Sequence, residues 1–281
     1  MSPSQTVTVA TLFPLATVAA ADEANAGALA RRGAARGLTV ETVTVDRPEA
    51  FVDADVYLLG GTGRGGVQAL VAAVADTDLA ARVRDGRAVL LAVDAGLDAV
   101  SRSWVDASGT RQDGLGLAPV TVHPDHEATG TVVTRPDADL HLPALVGWEA
   151  GDLRTERHDG ASALFTLEVG RGNRDDEGGE GVLAGSVLGT RLHGPLLALN
   201  PELADLVLAR ALGREEPWPV LASPALERAR SERIAEVRRE TPAAGWRDRL
   251  PPRVARLLPG RVSTVRRPPA RRVARAGSTP P

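Results

Sequence analysis

The chain has 281 residues, 43% of them hydrophobic and 25% charged, with a formal net charge of −3. This is the composition of a soluble globular protein, long enough for one large domain or two small ones. With no cysteine the chain excludes disulfides and thiolate metal sites, and no apolar run reaches the roughly 20 residues of a membrane span.

The N-terminus carries no basic region ahead of its first apolar stretch, so no secretion signal is expected and the cytoplasm is the expected location. In chain order, Val7–Leu12 and Leu38–Val45 are apolar or β-branched runs that predict strands, and the Ala-rich Asp22–Arg36 between them predicts a helix ending before Gly37. Asp55–Leu59 predicts a third strand, closed by the glycine-rich Gly60–Gly66. Val67–Val83 reads as one helix, and Ala88–Val93 as a continuous apolar strand suited to the middle of a parallel sheet. A tight turn at Asp94-Ala95-Gly96 and a short helix follow. Several short strands are expected over 117–190, with Gly, Asp and Pro between them. Helices are expected over Pro201–Gly213 and, with a serine N-cap, over Ser223–Glu240. Alternating strands and helices of this kind indicate an α/β fold.

Three segments could carry chemistry. A strand, a sharp turn and a helix around Asp94 match the geometry that holds a reactive side chain exposed, with Ala92, Ala95 and Gly96 small enough to admit the backbone. The helix start can turn backbone N–H groups toward an oxyanion. The same pattern also fits an acidic turn or helix cap. His193, between an apolar stretch and a Gly-Pro break, could serve as a general base or sit in a structural role. Gly60–Gly66 lacks the Lys-Ser/Thr of a phosphate loop and the dinucleotide spacing, and reads as a turn at the carboxyl edge of the sheet. Asn173–Gly181 does not match calcium-loop spacing and reads as a solvated hairpin loop.

Together these segments resemble the glutaminase subunit of lipid II isoglutaminyl synthase, within the cobyric acid synthase-type class I glutamine amidotransferases. The likeness runs from about Val7 to Gly213. Asp55–Gly61 (DVYLLGG) looks like the family's strand and oxyanion loop, and Val89–Gly96 (VLLAVDAG) is similar to its nucleophile elbow. Leu145–Thr155 (LVGWEAGDLRT) follows its Gly-aromatic-Glu…Arg-Thr segment. Gly189–Pro201 (GTRLHGPLLALNP) nearly reproduces the pattern around its catalytic histidine. The resemblance implies a flavodoxin-like, class I amidotransferase sheet flanked by helices over 1–213; composition and the predicted helix beyond it add a helical extension over 214–243 and a disordered tail over 244–281. The resemblance also implies glutamine hydrolysis to glutamate and ammonia, with the ammonia passed to a Mur-ligase-like partner that amidates a peptidoglycan precursor. In that scheme the elbow residue is the nucleophile and His193 its base. Backbone groups at Gly60, Gly61, Ala95 and Gly96 hold the oxyanion and substrate. No cofactor or metal is implied.

The departures fall where the chemistry lies. The family's elbow cysteine is Asp94, its second elbow glycine is Ala95, and its usual glutamine is Asp98. Its Glu-Asn-His-Gly-Gly is here Glu149-Ala150-Gly151-Asp152-Leu153, and an arginine expected shortly before Gly130 is absent. A carboxylate is weakly nucleophilic toward an amide and would yield an anhydride, whereas beside His193 it would form an ion pair favouring imidazolium. The leading expectation is a non-hydrolysing pseudo-glutaminase that binds or regulates the ligase, with glutamine binding in doubt. A working glutaminase, or a hydrolase of another class using Asp94 and His193, are the alternatives.

Residues 244–281 hold ten arginines against the single acid Asp248, and seven prolines. Such a segment offers little apolar surface to offset chain entropy. It could be a solvated extension, or lie on anionic lipid at the inner face of the membrane, where each arginine contributes about 1 kcal/mol. No nucleic-acid-binding fold is recognisable, and no nucleic-acid partner is expected.

Overall fold

The computed structural model describes residues 5–14, 19–60, 66–106, 108–174, 178–193 and 196–240. The chain divides into Met1–Thr241 and Pro242–Pro281, and the second unit, which holds the whole arginine-rich segment 244–281, lies outside the described residues. Among the described residues no helix is long and apolar enough to cross a membrane.

The first half alternates as the sequence implies: β1 (Thr6–Leu12), α1 (Ala19–Ala35), β2 (Thr39–Val45), β3 (Val56–Leu59), α2 (Val67–Ala75), α3 (Leu79–Arg84), β4 (Val89–Val93) and α4 (Ala95–Val100). Both β3 and the apolar part of β4 are buried, as expected of central parallel strands covered on two faces. The single helix expected over Val67–Val83 is two. Thr77 turns its hydroxyl back to the Val74 carbonyl at 2.7 Å and receives the Leu79 N–H at 3.3 Å, so its side chain competes with the helical ladder and breaks it.

Then come β5 (Ser103–Val105), β6 (Arg111–Asp113), β7 (Val120–Thr134), β8 (Val146–Arg157), β9 (Phe165–Val169), β10 (Gly179–Glu180), β11 (Val182–Ala184) and β12 (Val187–Thr190). Two of these strands are long rather than short. Pro124 does not end β7, because the β7–β8 register shifts between Pro124 and Ala128 and absorbs the irregularity as a bulge.

The first six-stranded sheet runs β11-β12-β4-β3-β1-β2, parallel except for β11 against β12. The second runs β10-β9-β7-β5-β6, with β8 also on β7. Strand order reverses about β1, so the carboxyl ends of β3, β4 and β12 converge where open α/β sheets place their sites.

Helices α5 (Leu196–Leu199), α6 (Pro201–Ala211) and α7 (Pro224–Glu240) complete the fold. At the start of α7, the Ser223 N–H donates to Glu227 Oε1 at 3.1 Å. Ile234 and Val237 of α7 pack on Val133 and Val146 of the second sheet, and Arg230 makes a bidentate pair with Glu202 of α6 at 2.6 and 2.9 Å. The segment leading into α7 is strapped to the end of α1: Arg36, just past the helix, donates to the Pro219 carbonyl at 2.7 Å, and the Arg36 and Arg214 guanidinium groups both lie over the Trp218 ring, 5.2 and 5.5 Å from its centre.

Candidate functional site

Asp94 follows β4 directly and takes φ +52°, ψ −111°. Positive φ is uncommon for a non-glycine residue and stores strain. Its N–H is held by the Thr190 carbonyl of β12 at 2.8 Å, and its own carbonyl accepts the Leu97 N–H at 2.9 Å to open α4. This is the sharp strand-to-helix turn expected from VLLAVDAG. It is possible because Gly96 has no side chain: a Cβ there would overlap the Leu59 carbonyl oxygen.

The other residues singled out from the sequence gather around this turn. Gly60 ends β3 so close that a Cβ would lie 3.1 Å from the Val93 carbonyl and 3.0 Å from Asp22 Oδ1. Ala95 and Gly96 form the buried first turn of α4. Gly61 lies outside the described residues. His193 stands just past β12, its N–H donating to the Trp148 carbonyl at 2.7 Å. Its Nε2 faces Asp94 Oδ1 at 3.5 Å, and both side chains are about a third exposed. His193 Nε2 itself has no hydrogen-bond partner among the described residues.

A charged network behind this pair escaped the sequence reading. Arg191 lies 2.6 Å from Asp98 Oδ1 of α4 and donates through Nε to Thr155 Oγ1 of β8 at 3.1 Å. Burial opposes its charge, but Asp98 and then Asp94 outweigh that penalty and raise the affinity of the guanidinium for its proton. Glu180 is buried outright. Its carboxylate accepts the Thr190 hydroxyl at 2.9 and 3.0 Å and the Arg191 N–H at 2.8 Å. Burial nonetheless pushes its pKa up to about 7. Asp22, at the start of α1 beside Gly60, is raised to about 6 by burial, and its Oδ2 has no partner among the described residues.

Asn173–Gly181 is not simply a solvated loop. Asn173 is buried and clips Gly181 through two hydrogen bonds of 2.7 and 2.8 Å, which fixes Glu180 beneath Thr190. Glu149 accepts the N–H groups of Arg171 and Gly172 at 2.9 and 3.0 Å. The cleft beside Asp94, walled by Glu149, Gly151, Arg171, Glu180 and Arg191, has a volume of about 40 Å³, space for a few waters. The signal that could have exposed the network is two charged residues, Asp98 and Arg191, inside otherwise apolar segments, since such residues are buried only when paired. Among the described residues no cluster of three or more His, Asp or Glu side chains could hold a metal ion.

Residues 11–201 match the model of the CobB/CobQ-like glutamine amidotransferase domain. The chain is 30% identical over 200 residues to a lipid II isoglutaminyl synthase (glutamine-hydrolyzing) subunit GatD of Staphylococcus aureus, covering 69% of this chain and 79% of that one. It is also 30% identical over 154 residues to the GatD subunit of Streptococcus pneumoniae, covering 53% of this chain and 56% of that protein. A glutamine amidotransferase crystal structure superposes with a TM-score of 0.51 at 17% identity, spanning 72% of this chain and 98% of the other, which supports the fold alone. The chain therefore belongs to the CobB/CobQ-like glutamine amidotransferase family, among the relatives of the glutaminase subunit of lipid II isoglutaminyl synthase.

Proposed function

We propose that this chain is a pseudo-glutaminase: an amidotransferase-like subunit that no longer hydrolyses glutamine and instead binds, and regulates, a Mur-ligase-like partner acting on a peptidoglycan precursor. The observation that carries this reading is the occupant of the elbow. Asp94 holds the strained backbone of a nucleophile, and a histidine faces it at 3.5 Å. The reacting atom there is a carboxylate oxygen, and no cysteine exists elsewhere in the chain to replace it. A carboxylate attacks amides poorly. Among the described residues the turn at Asp94, Gly60 beside it and His193 facing it still form one constellation, which supports a retained binding role. The arginine-rich segment 244–281 extends the proposal: it places the subunit against anionic lipid at the inner face of the membrane, near a lipid-linked substrate.

The test is ammonia release from glutamine by the protein purified from its host with any bound partners, beside a His193→Ala control. The expected result is no release, with a ligase co-purifying. Release that His193→Ala abolishes would overturn the proposal and require another nucleophile. Deleting residues 244–281 is expected to abolish binding to anionic vesicles; retained binding would remove the membrane role.

A further inference from the structure

The chain leaves the first sheet at Thr190, the last residue of β12, and reaches His193 three residues later. Off the sheet, this short run has no strand ladder until the His193 N–H meets the Trp148 carbonyl at 2.7 Å. A backbone stretch without a ladder needs other partners to hold one conformation. Here they come from Glu180. Its Oε1 accepts the Arg191 N–H at 2.8 Å, and its two carboxylate oxygens lie 3.0 and 2.9 Å from the Thr190 hydroxyl. Thr190 Oγ1 in turn accepts the Leu192 N–H at 3.0 Å.

Glu180 comes to this run from the other sheet. It belongs to β10, opposite Phe165 of β9, whereas Thr190 pairs with Val93 of β4. The crossing is made at Gly181, which has φ +68° and where a Cβ would overlap the Gly189 carbonyl oxygen. The two sheets are thus joined directly behind the turn at Asp94, whose N–H is held by the Thr190 carbonyl at 2.8 Å.

For packing alone an apolar side chain would suit this position better. Glu180 is 1% exposed, and burial works against its charge. What the carboxyl group supplies, and an apolar group cannot, is a pair of oxygens aimed at Thr190 and Arg191. We propose that Glu180 is a positioning residue, which fixes His193 opposite position 94 by holding Thr190 and Arg191, the residues from which the backbone runs to that histidine. This role belongs to the geometry of the pair, so it holds whether or not glutamine is hydrolysed.

Side-chain chemistry separates this role from simple packing. In Glu180→Gln the amide oxygen still accepts the Arg191 N–H and the amide nitrogen donates to Thr190 Oγ1, so the run to His193 keeps its partners. In Glu180→Leu the Arg191 N–H and the Thr190 hydroxyl are left unmatched, and the run is free to shift. Thr190→Val breaks the same link from the other side. It removes both the hydroxyl that meets Glu180 and the oxygen that accepts the Leu192 N–H, with little change in shape.

The test places a reporter at the elbow of the full chain. With Asp94→Cys, the histidine facing the thiol is expected to speed alkylation by iodoacetamide at about pH 6.5 roughly tenfold over the same chain carrying His193→Ala. Adding Glu180→Leu or Thr190→Val is expected to remove that dependence on His193, whereas adding Glu180→Gln keeps it within about twofold. A residue that only stabilised the fold would lower the urea midpoint and leave the His193 dependence untouched. Should Glu180→Leu fail to fold, Thr190→Val reads the same link. Three outcomes would each overturn the proposal: a His193 dependence that survives in Thr190→Val or in folded Glu180→Leu, an equal loss in Glu180→Gln, or no His193 dependence in the Asp94→Cys chain itself.

Discussion

The guanidinium of Arg191 lies 2.6 Å from Asp98 Oδ1, tying the strand end that leads to His193 onto the helix that leaves Asp94. Asp98 is buried and Arg191 nearly so. Breaking a buried pair leaves an uncompensated charge and costs about 3–5 kcal/mol, whereas replacing both partners with apolar residues is often nearly neutral. Arg191→Met and Asp98→Leu are each expected to lose stability on that scale in urea unfolding. The double variant Arg191→Met, Asp98→Leu is expected to lose less than either. Losses that simply add would mean that the two side chains are not coupled.

Glu180 gives the fold a pH dependence. Its folded pKa, about 7, is above the ordinary 4.5, so the folded protein keeps a proton that the unfolded chain releases. The stabilisation is complete below pH 4.5, declines as pH rises, and is gone once pH passes through 7. Glu180→Gln removes this titration. Between pH 4.5 and 8 the parent is expected to lose about 3 kcal/mol relative to the variant. Asp22, raised from 3.8 to about 6, adds a loss between those values in both proteins and cancels in the comparison. Parallel stability curves would refute the assignment to Glu180.

The turn at Asp94 depends on Gly96 in a way that Gly130 of β7 does not share. A Cβ at position 96 overlaps the Leu59 carbonyl oxygen, and backbone on both sides is fixed by the sheet. At position 130 a Cβ meets nothing within 4 Å. Gly96→Ala is expected to cost about 3 kcal/mol or more and to remove most soluble protein. Gly130→Ala is expected to be neutral or to stabilise by up to about 1 kcal/mol. Thermal unfolding of the two variants side by side measures the difference.

These residues also mark what local sequence carries. The first four strands and the turn at Asp94 were legible because their signals are local: β-branched alternation, an apolar run, and small residues beside an acid. The split at Thr77 depends on one hydroxyl choosing the backbone, and the continuation of β7 past Pro124 depends on a bulge against β8. Neither leaves a periodic trace. Arg191 and Asp98 meet across 93 positions, and Glu180 meets Thr190 only after Asn173 has clipped the loop closed. Long-range pairing of this kind is fixed by tertiary packing, and it holds most of the charge around the elbow.

Whether the elbow and His193 still act as a unit can be read without glutamine. Asp94→Cys introduces the chain's sole thiol at the strained turn, facing His193 where the carboxylate now stands at 3.5 Å. A cysteine beside a protonated histidine has its pKa lowered from about 8.5 into a range of roughly 3.5–7.5. At pH 6.5 the variant is therefore expected to react with iodoacetamide about tenfold faster than a free thiol, followed by mass spectrometry. Adding His193→Ala is expected to return the rate to that of an ordinary cysteine. If Asp94→Cys reacts at the ordinary rate with or without His193, the histidine does not address the elbow atom. If the acceleration appears, the geometry of a glutaminase has outlasted the nucleophile it once served.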